Sequence, residues 1–258
     1  MNSTNINLNI FFKRLKFNLL NKSYYKYLLN LRSIDDNSYT LKSFDKTKSI
    51  FIHIPKCGGT SILKSIYGNL GGGHLTFDKY SKIYSRKEIE SYFKFTAIRN
   101  PWDRVVSAYH YLALGVKTDE DKKWFDKNIS KYGDFKSFIK GWLKKENIFK
   151  YYHFQPQYYY ILNSHNKLKI NYFIFFENLE NDLRNIYDFL GEKSKIEHLN
   201  KSNHHDYKQY YDEETKLIVS SVYEEDIRLL GYNFDNSSLT KQKKDRDSQK
   251  LSYPYYDK

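Results

Sequence analysis

The chain has 258 residues, of which 40% are hydrophobic and 28% charged, a globular balance that excludes wholesale disorder and a collagen-like design. No fixed-period repeat is visible either. Lysine and arginine number 43 against 30 acids, a formal charge of +13, so the surface attracts polyanions without saying whether these are nucleic acid, anionic lipid, acidic glycan or nucleotide.

Residues 1–45 read as a basic extension. Its apolar stretch, residues 8–20, is interrupted by Lys13, Arg14 and Lys16, which spoils a signal-peptide core, and the sequence holds no run of 18 apolar residues. A cytoplasmic protein is the expectation. Phe11, Leu15 and Leu19 recur at helical spacing with no acid before Asp35, which fits a basic amphipathic helix packed on the domain or resting on the inner face of a membrane.

Residues 49–54 (SIFIHI) give the first buried-strand signal, ended by Pro55. A glycine loop follows, and helical spacing resumes from Thr60 until Gly68. Ser85 with Glu88 supplies a capping box for a helix to about Tyr92, and residues 94–98 read as a second strand. Asn100 can cap the next helix and Pro101 suits its first position, with residues 102–114 helical. The middle, residues 119–165, is aromatic and lysine-rich, helical around 134–143, and carries Gln157. A third strand at 171–176 precedes a helix at 179–190, and a last helix from Asp212 puts Val219, Tyr223, Ile227 and Leu230 on one face. Residues 237–258 are polar and charged, and disorder is expected there. Strands alternating with helices predict an α/β domain over residues 46–236, with a central parallel sheet flanked by helices and ligands at the carboxyl ends of its strands.

Two strand-to-helix junctions carry the chemistry. The first, Pro55-Lys56-Cys57-Gly58-Gly59-Thr60-Ser61, would aim main-chain amides at an anion. It is not a Walker A loop, because its lysine precedes the glycines, so nucleotide hydrolysis loses support. Leu63 stands where a cysteine phosphatase needs arginine, and Cys57 reads either as a nucleophile activated by the helix start or as a small loop residue. As the sole cysteine it also excludes an intrachain disulfide and a cysteine-based zinc site. In the second junction Arg99 closes a strand, while Arg104 and Ser107 lie three apart on the following helix. Two such junctions in one sheet can grip two phosphates. His53 reads as a core histidine, and His204-His205-Asp206 resembles a metal cluster only superficially. A different class stays open: a basic, aromatic-rich nucleic-acid-binding module without catalysis.

With both segments in this order, the chain resembles the sulfotransferases that use 3′-phosphoadenosine 5′-phosphosulfate (PAPS), most closely the carbohydrate branch with the uronyl 2-O-sulfotransferases. The likeness continues through Glu177-Asn178-Leu179 and Asn200-Lys201-Ser202 to Asp226, Gly231 and Tyr232. It implies a P-loop NTPase-like fold, PAPS as co-substrate, a hydroxyl acceptor on a carbohydrate, and neither metal nor nucleic acid as partner. By position it implies that Lys56 contacts the bridging oxygen of the donor while Cys57, Gly58, Gly59, Thr60 and Ser61 surround the 5′-phosphate. Arg99 and Ser107 would hold the 3′-phosphate, Lys201 and Ser202 would close over the donor, and Gln157 would touch donor or acceptor. The segment Gly73-His74-Leu75-Thr76-Phe77 resembles the stretch with the catalytic histidine of the 2-O enzymes, which makes His74 the implied general base. Gly72 departs from that branch, where a second histidine precedes by two positions.

Overall fold

The computed structural model describes residues 22–34, 38–114, 118–191 and 206–248. Its centre is a parallel sheet of three strands, β1 (Ser49–Ile52), β2 (Phe93–Ile98) and β3 (Tyr172–Phe175), in the order β1-β2-β3. Ser49 pairs with Phe93 and Ile52 with Thr96, while Phe95 pairs with Tyr172 and Ile98 with Phe175. Every residue of β1 and β2 is buried, which is why these strands read as continuous apolar runs rather than alternating ones. The one hydroxyl inside β2, Thr96, is satisfied by donating to the Ile52 carbonyl at 2.7 Å.

Helices fill the crossovers. Ahead of the sheet lie α1 (Lys22–Asn30) and α2 (Lys42–Thr47), and between β1 and β2 come α3 (Gly59–Tyr67), α4 (Phe77–Ile83) and α5 (Arg86–Ser91). Between β2 and β3 come α6 (Pro101–Ala113), α7 (Asp119–Asn128), α8 (Phe135–Gly141) and α9 (Tyr158–Ile161). After β3 follow α10 (Leu179–Leu190), α11 (Glu213–Val222), α12 (Glu224–Leu230) and α13 (Leu239–Asp247). The result is the predicted mixed α/β architecture, a parallel sheet flanked by helices in the manner of a P-loop-like fold. Its local punctuation also matches: Ser85 and Glu88 form a reciprocal capping box, and Asn100 Oδ1 accepts from the Trp102 amide at 3.0 Å, with Pro101 in the first turn.

Two clusters of buried side chains make the core. One surrounds the sheet, with Phe51, Phe95, Tyr160, Ile174 and Leu183; the other gathers Trp102, Phe138, Trp142, Phe154 and Val219. The aromatic middle of the chain is therefore a second core packed on α6, whose Trp102, Val105 and Val106 belong to it.

Three expectations change. The basic extension is structural from residue 22 onward: Leu28, Leu31, Leu41 and Phe44 are in the sheet core, and Arg32 bonds both Asp45 (2.8 Å) and Glu88 (2.6 Å). The tail is helical rather than disordered up to residue 248, because α13 is held by polar contacts that hydropathy cannot register. Arg246 reaches the buried Asp182 at 2.6 Å, and Gln242 donates to the Leu230 carbonyl at 2.6 Å. The last predicted helix is broken at Tyr223 into α11 and α12, with the Tyr223 hydroxyl drawn to the Phe154 carbonyl at 2.7 Å. The amphipathic pattern of Phe11, Leu15 and Leu19 lies outside the described residues. Among the described residues no helix is long and apolar enough to cross a membrane.

Candidate active site

The first junction is built around a close approach. His53 follows β1 and lays its ring against the start of α3, where a Cβ on Gly59 would stand 2.1 Å from the His53 ring. Only glycine fits. Gly58 and Lys56 both adopt positive φ, 78° and 68°, a conformation that costs a lysine about 1–2 kcal/mol and persists only where neighbours enforce it. Here the enforcing neighbour is Arg99, whose guanidinium donates to the Lys56 carbonyl at 3.1 Å. Ile62 is the first residue of α3 to donate within the helix, to Gly58, and the helix has no side-chain cap. The amides of Gly59, Thr60 and Ser61 therefore form an N-terminus suited to an anion, with Thr60 exposed and Ser61 half-buried beside it. The Lys56 ammonium lies 3.7 Å above the centre of the Tyr111 ring.

The second junction is locked to the first. Arg99 is 3% exposed and makes a two-pronged ion pair with Asp103, at 2.7 and 2.8 Å, while its guanidinium stacks on Phe176 at 3.9 Å. Arg104 is turned inward, donating to the carbonyls of His153 (3.2 Å), Gln155 (2.8 Å) and Pro55 (3.5 Å). Both arginines thus tie the first loop to the second, and Ser107 sits one turn beyond Arg104 in α6, buried. Lys56 and Arg99 follow the carboxyl ends of β1 and β2, with the α3 amides and Ser107 on the helices that come next.

His74 joins this end from the loop before α4. Its Nδ1 is 3.1 Å from the His53 carbonyl, which can only accept, so Nδ1 carries the proton and Nε2 keeps its lone pair. Burial, with the His153 and Lys56 charges adding to it, pulls its pKa down to about 4 against the opposing pull of that carbonyl bond. The His53 ring lies 4.1 Å away and is held neutral by burial. At Gly72 a Cβ would meet Leu75 at 2.6 Å, so a second histidine does not fit there without a shift.

Other candidates land in structural roles. The Cys57 thiol is fully buried against Gln157 and burial pushes its pKa up to about 12, which rules out the activated nucleophile. Gln157 is also fully buried: it accepts from the Arg99 amide at 3.0 Å and donates to the Arg99 carbonyl at 2.8 Å, extending the end of β2 with a side chain rather than facing a ligand. Lys201, Ser202, His204 and His205 lie outside the described residues.

Two acids of the motif series complete the support. Glu177 accepts from the Asn100 amide at 2.6 Å and from the Tyr232 hydroxyl at 3.0 Å, and burial raises its pKa. Asp226, raised to about 6 by burial, accepts the amides of Gln157 and Tyr158 at 2.8 Å each. Both acids brace main chain behind the junctions, which accounts for their place in the motif series. Among the described residues no three His, Cys, Asp or Glu side chains converge as metal ligands would.

Compared singly with curated proteins, the chain matches none. The sequence model of the sulfotransferase family, however, matches residues 40–233. That span takes in the whole sheet and both junctions at its carboxyl end, and the chain therefore belongs to the sulfotransferase family, enzymes that transfer sulfuryl groups.

Proposed function

We propose that this enzyme takes the sulfuryl group of PAPS and passes it, in line and without a metal, to a hydroxyl of a carbohydrate. The observation that carries the reading is the direct bonding of the two motifs, Arg99 to the Lys56 carbonyl and Arg104 to the Pro55 carbonyl, at the uncapped start of α3. That arrangement suits a ligand with two separated anionic groups. The amides of Gly58 to Ser61 and the Thr60 hydroxyl receive the 5′-phosphosulfate, and Arg99 and Ser107 receive the 3′-phosphate. Arg99 meets it as a guanidinium already fixed by Asp103. Lys201 and Ser202 belong to the same donor site by their place in the motif series.

His74 Nε2, unprotonated at neutral pH, takes the proton of the acceptor hydroxyl, and Lys56 offsets the negative charge that builds on the departing phosphate oxygen. A sulfuryl group carries less charge than a phosphoryl group, so positioned cations can serve where phosphoryl transfer uses magnesium. The carbohydrate acceptor rests on the resemblance, and the missing histidine at Gly72 separates this chain from the uronyl 2-O pattern. The nucleic-acid-binding alternative has no observation in its favour: Arg104 holds protein carbonyls, and the aromatic middle is a core rather than an exposed stacking surface.

Incubation with labelled PAPS, EDTA and a panel of glycans, lipids and small alcohols tests this, with products identified by mass spectrometry. Transfer to a glycan that survives EDTA and is lost in Lys56→Ala is the expected result. Dependence on added magnesium, or transfer confined to non-carbohydrate acceptors, overturns the corresponding part.

A further inference from the structure

The aromatic side chains around Lys56 and His74 converge on one acid. Asp121 lies in the first turn of α7, 3% exposed, with its amide donating to Thr118 Oγ1 at 3.0 Å. Its carboxylate accepts from the hydroxyls of Tyr111 (3.4 Å), Tyr151 and Tyr152 (3.3 Å), and stands 3.5 Å from His153 Nε2. Burial alone would raise its pKa, but the neighbouring His153, Tyr151 and Thr118 side chains hold it below the usual carboxylate range.

Two of these tyrosines touch the reacting side chains. The Tyr111 ring carries the Lys56 ammonium at 3.7 Å, and the Tyr152 ring lies 5.3 Å from the His74 imidazole. Tyr152 and Tyr111 also flank His153, at 4.1 and 4.9 Å. A buried carboxylate is a costly way to fill a core when an apolar residue would serve, so its role is more than packing. We propose that Asp121 is a positioning residue that fixes Lys56 through Tyr111 and His74 through Tyr152, setting both reacting groups from a single anchor. The inference rests on the reading of Lys56 and His74 as reacting groups.

The test uses the full chain and the variants Tyr111→Phe, Tyr111→Leu, Asp121→Asn and the double variant Tyr111→Phe/Asp121→Asn. Lysines are labelled by reductive ¹³C-methylation, and the Lys56 signal is identified by its loss in Lys56→Arg. In the wild type this signal lies upfield through the Tyr111 ring current. It moves part of the way back in Tyr111→Phe and Asp121→Asn, and fully to the envelope of surface lysines in Tyr111→Leu.

In turnover, Tyr111→Phe and Asp121→Asn each lower kcat about 5- to 30-fold with the donor KM nearly unchanged. The double variant falls no more than about 2-fold below Asp121→Asn, because both changes act on the same link. An unshifted Lys56 signal in the wild type, full kcat in Tyr111→Phe, or multiplying effects in the double variant overturn the proposal. Should Asp121→Asn fail to fold, Tyr111→Phe and Tyr152→Phe carry the same comparison. A wild type that transfers no sulfuryl group sinks the functional reading, while the Lys56 signal still decides whether Asp121 and Tyr111 hold that side chain.

Discussion

His74 shows how a single contact sets a residue's chemistry. With its Nδ1 proton committed to the His53 carbonyl and its pKa near 4, the imidazole is neutral across the physiological range. A general base acts in its neutral form, so activity is lost as pH falls through the folded-state pKa. The acid limb of kcat/KM is therefore expected near pH 4 rather than near the ordinary histidine value of about 6.5, and a midpoint above 6 in wild type would mean that burial does not depress the titration of the base. In His74→Ala, turnover drops about 10²- to 10⁴-fold while calorimetry finds binding of 3′,5′-diphosphoadenosine intact. Loss of binding to the same degree would make His74 a donor contact instead. As candidates, Lys56 and Arg99 stood out in the sequence at strand ends, and His74 through the resemblance of residues 73–77. Asp121 and Tyr111 did not, and Gln157 was singled out for a ligand rather than for its bonds to the Arg99 main chain, since the partners of all three lie at distant positions in the chain and meet only once it has folded.

At the level of elements, the junction between β1 and α3 depends on the fit of His53 over Gly59. A methyl at position 59 would collide with the ring at 2.1 Å, so Gly59→Ala is expected to destabilise the fold by about 1–3 kcal/mol, measured by urea denaturation. Combining it with His53→Ala removes the collision, and the double variant should recover part of that loss. Strict additivity of the two changes would mean that the close approach does not govern the junction. The strands and caps on either side were readable because they are local: a buried run, a capping box, an asparagine before a proline. The break at Tyr223 was not, because the apolar face continues through it and the hydroxyl's partner, the Phe154 carbonyl, is distant in the chain.

Over the whole molecule, both ends of the described chain are tied in by ion pairs that composition does not register, the N-terminal one through Arg32 alongside its buried Leu28, Leu31, Leu41 and Phe44, the C-terminal one through Arg246. The C-terminal case is the sharper one. Arg246 bonds Asp182 at 2.6 Å and the Phe173 carbonyl at 2.9 Å, with the rings of Tyr172 and Phe175 at 4.6 and 5.0 Å, so α13 braces β3 from outside the family-matched span. Beyond β3 the chain delivers Phe176 under Arg99 and Glu177 to the Asn100 amide, which links this brace to the active end of the sheet. Removing the arginine strands a buried carboxylate that, among the described residues, keeps the Phe175 amide and the Asn178 side chain as donors. Arg246→Ala should therefore cost about 3 kcal/mol, near the low end for a broken buried pair, and truncation after Asn236 should cost a similar amount. The paired replacement Arg246→Met/Asp182→Asn removes both charges and is expected to recover most of the loss. Thermal denaturation of these four proteins decides the matter: a truncated chain that melts with the wild type would show that the tail contributes nothing to the fold, as its composition alone suggests.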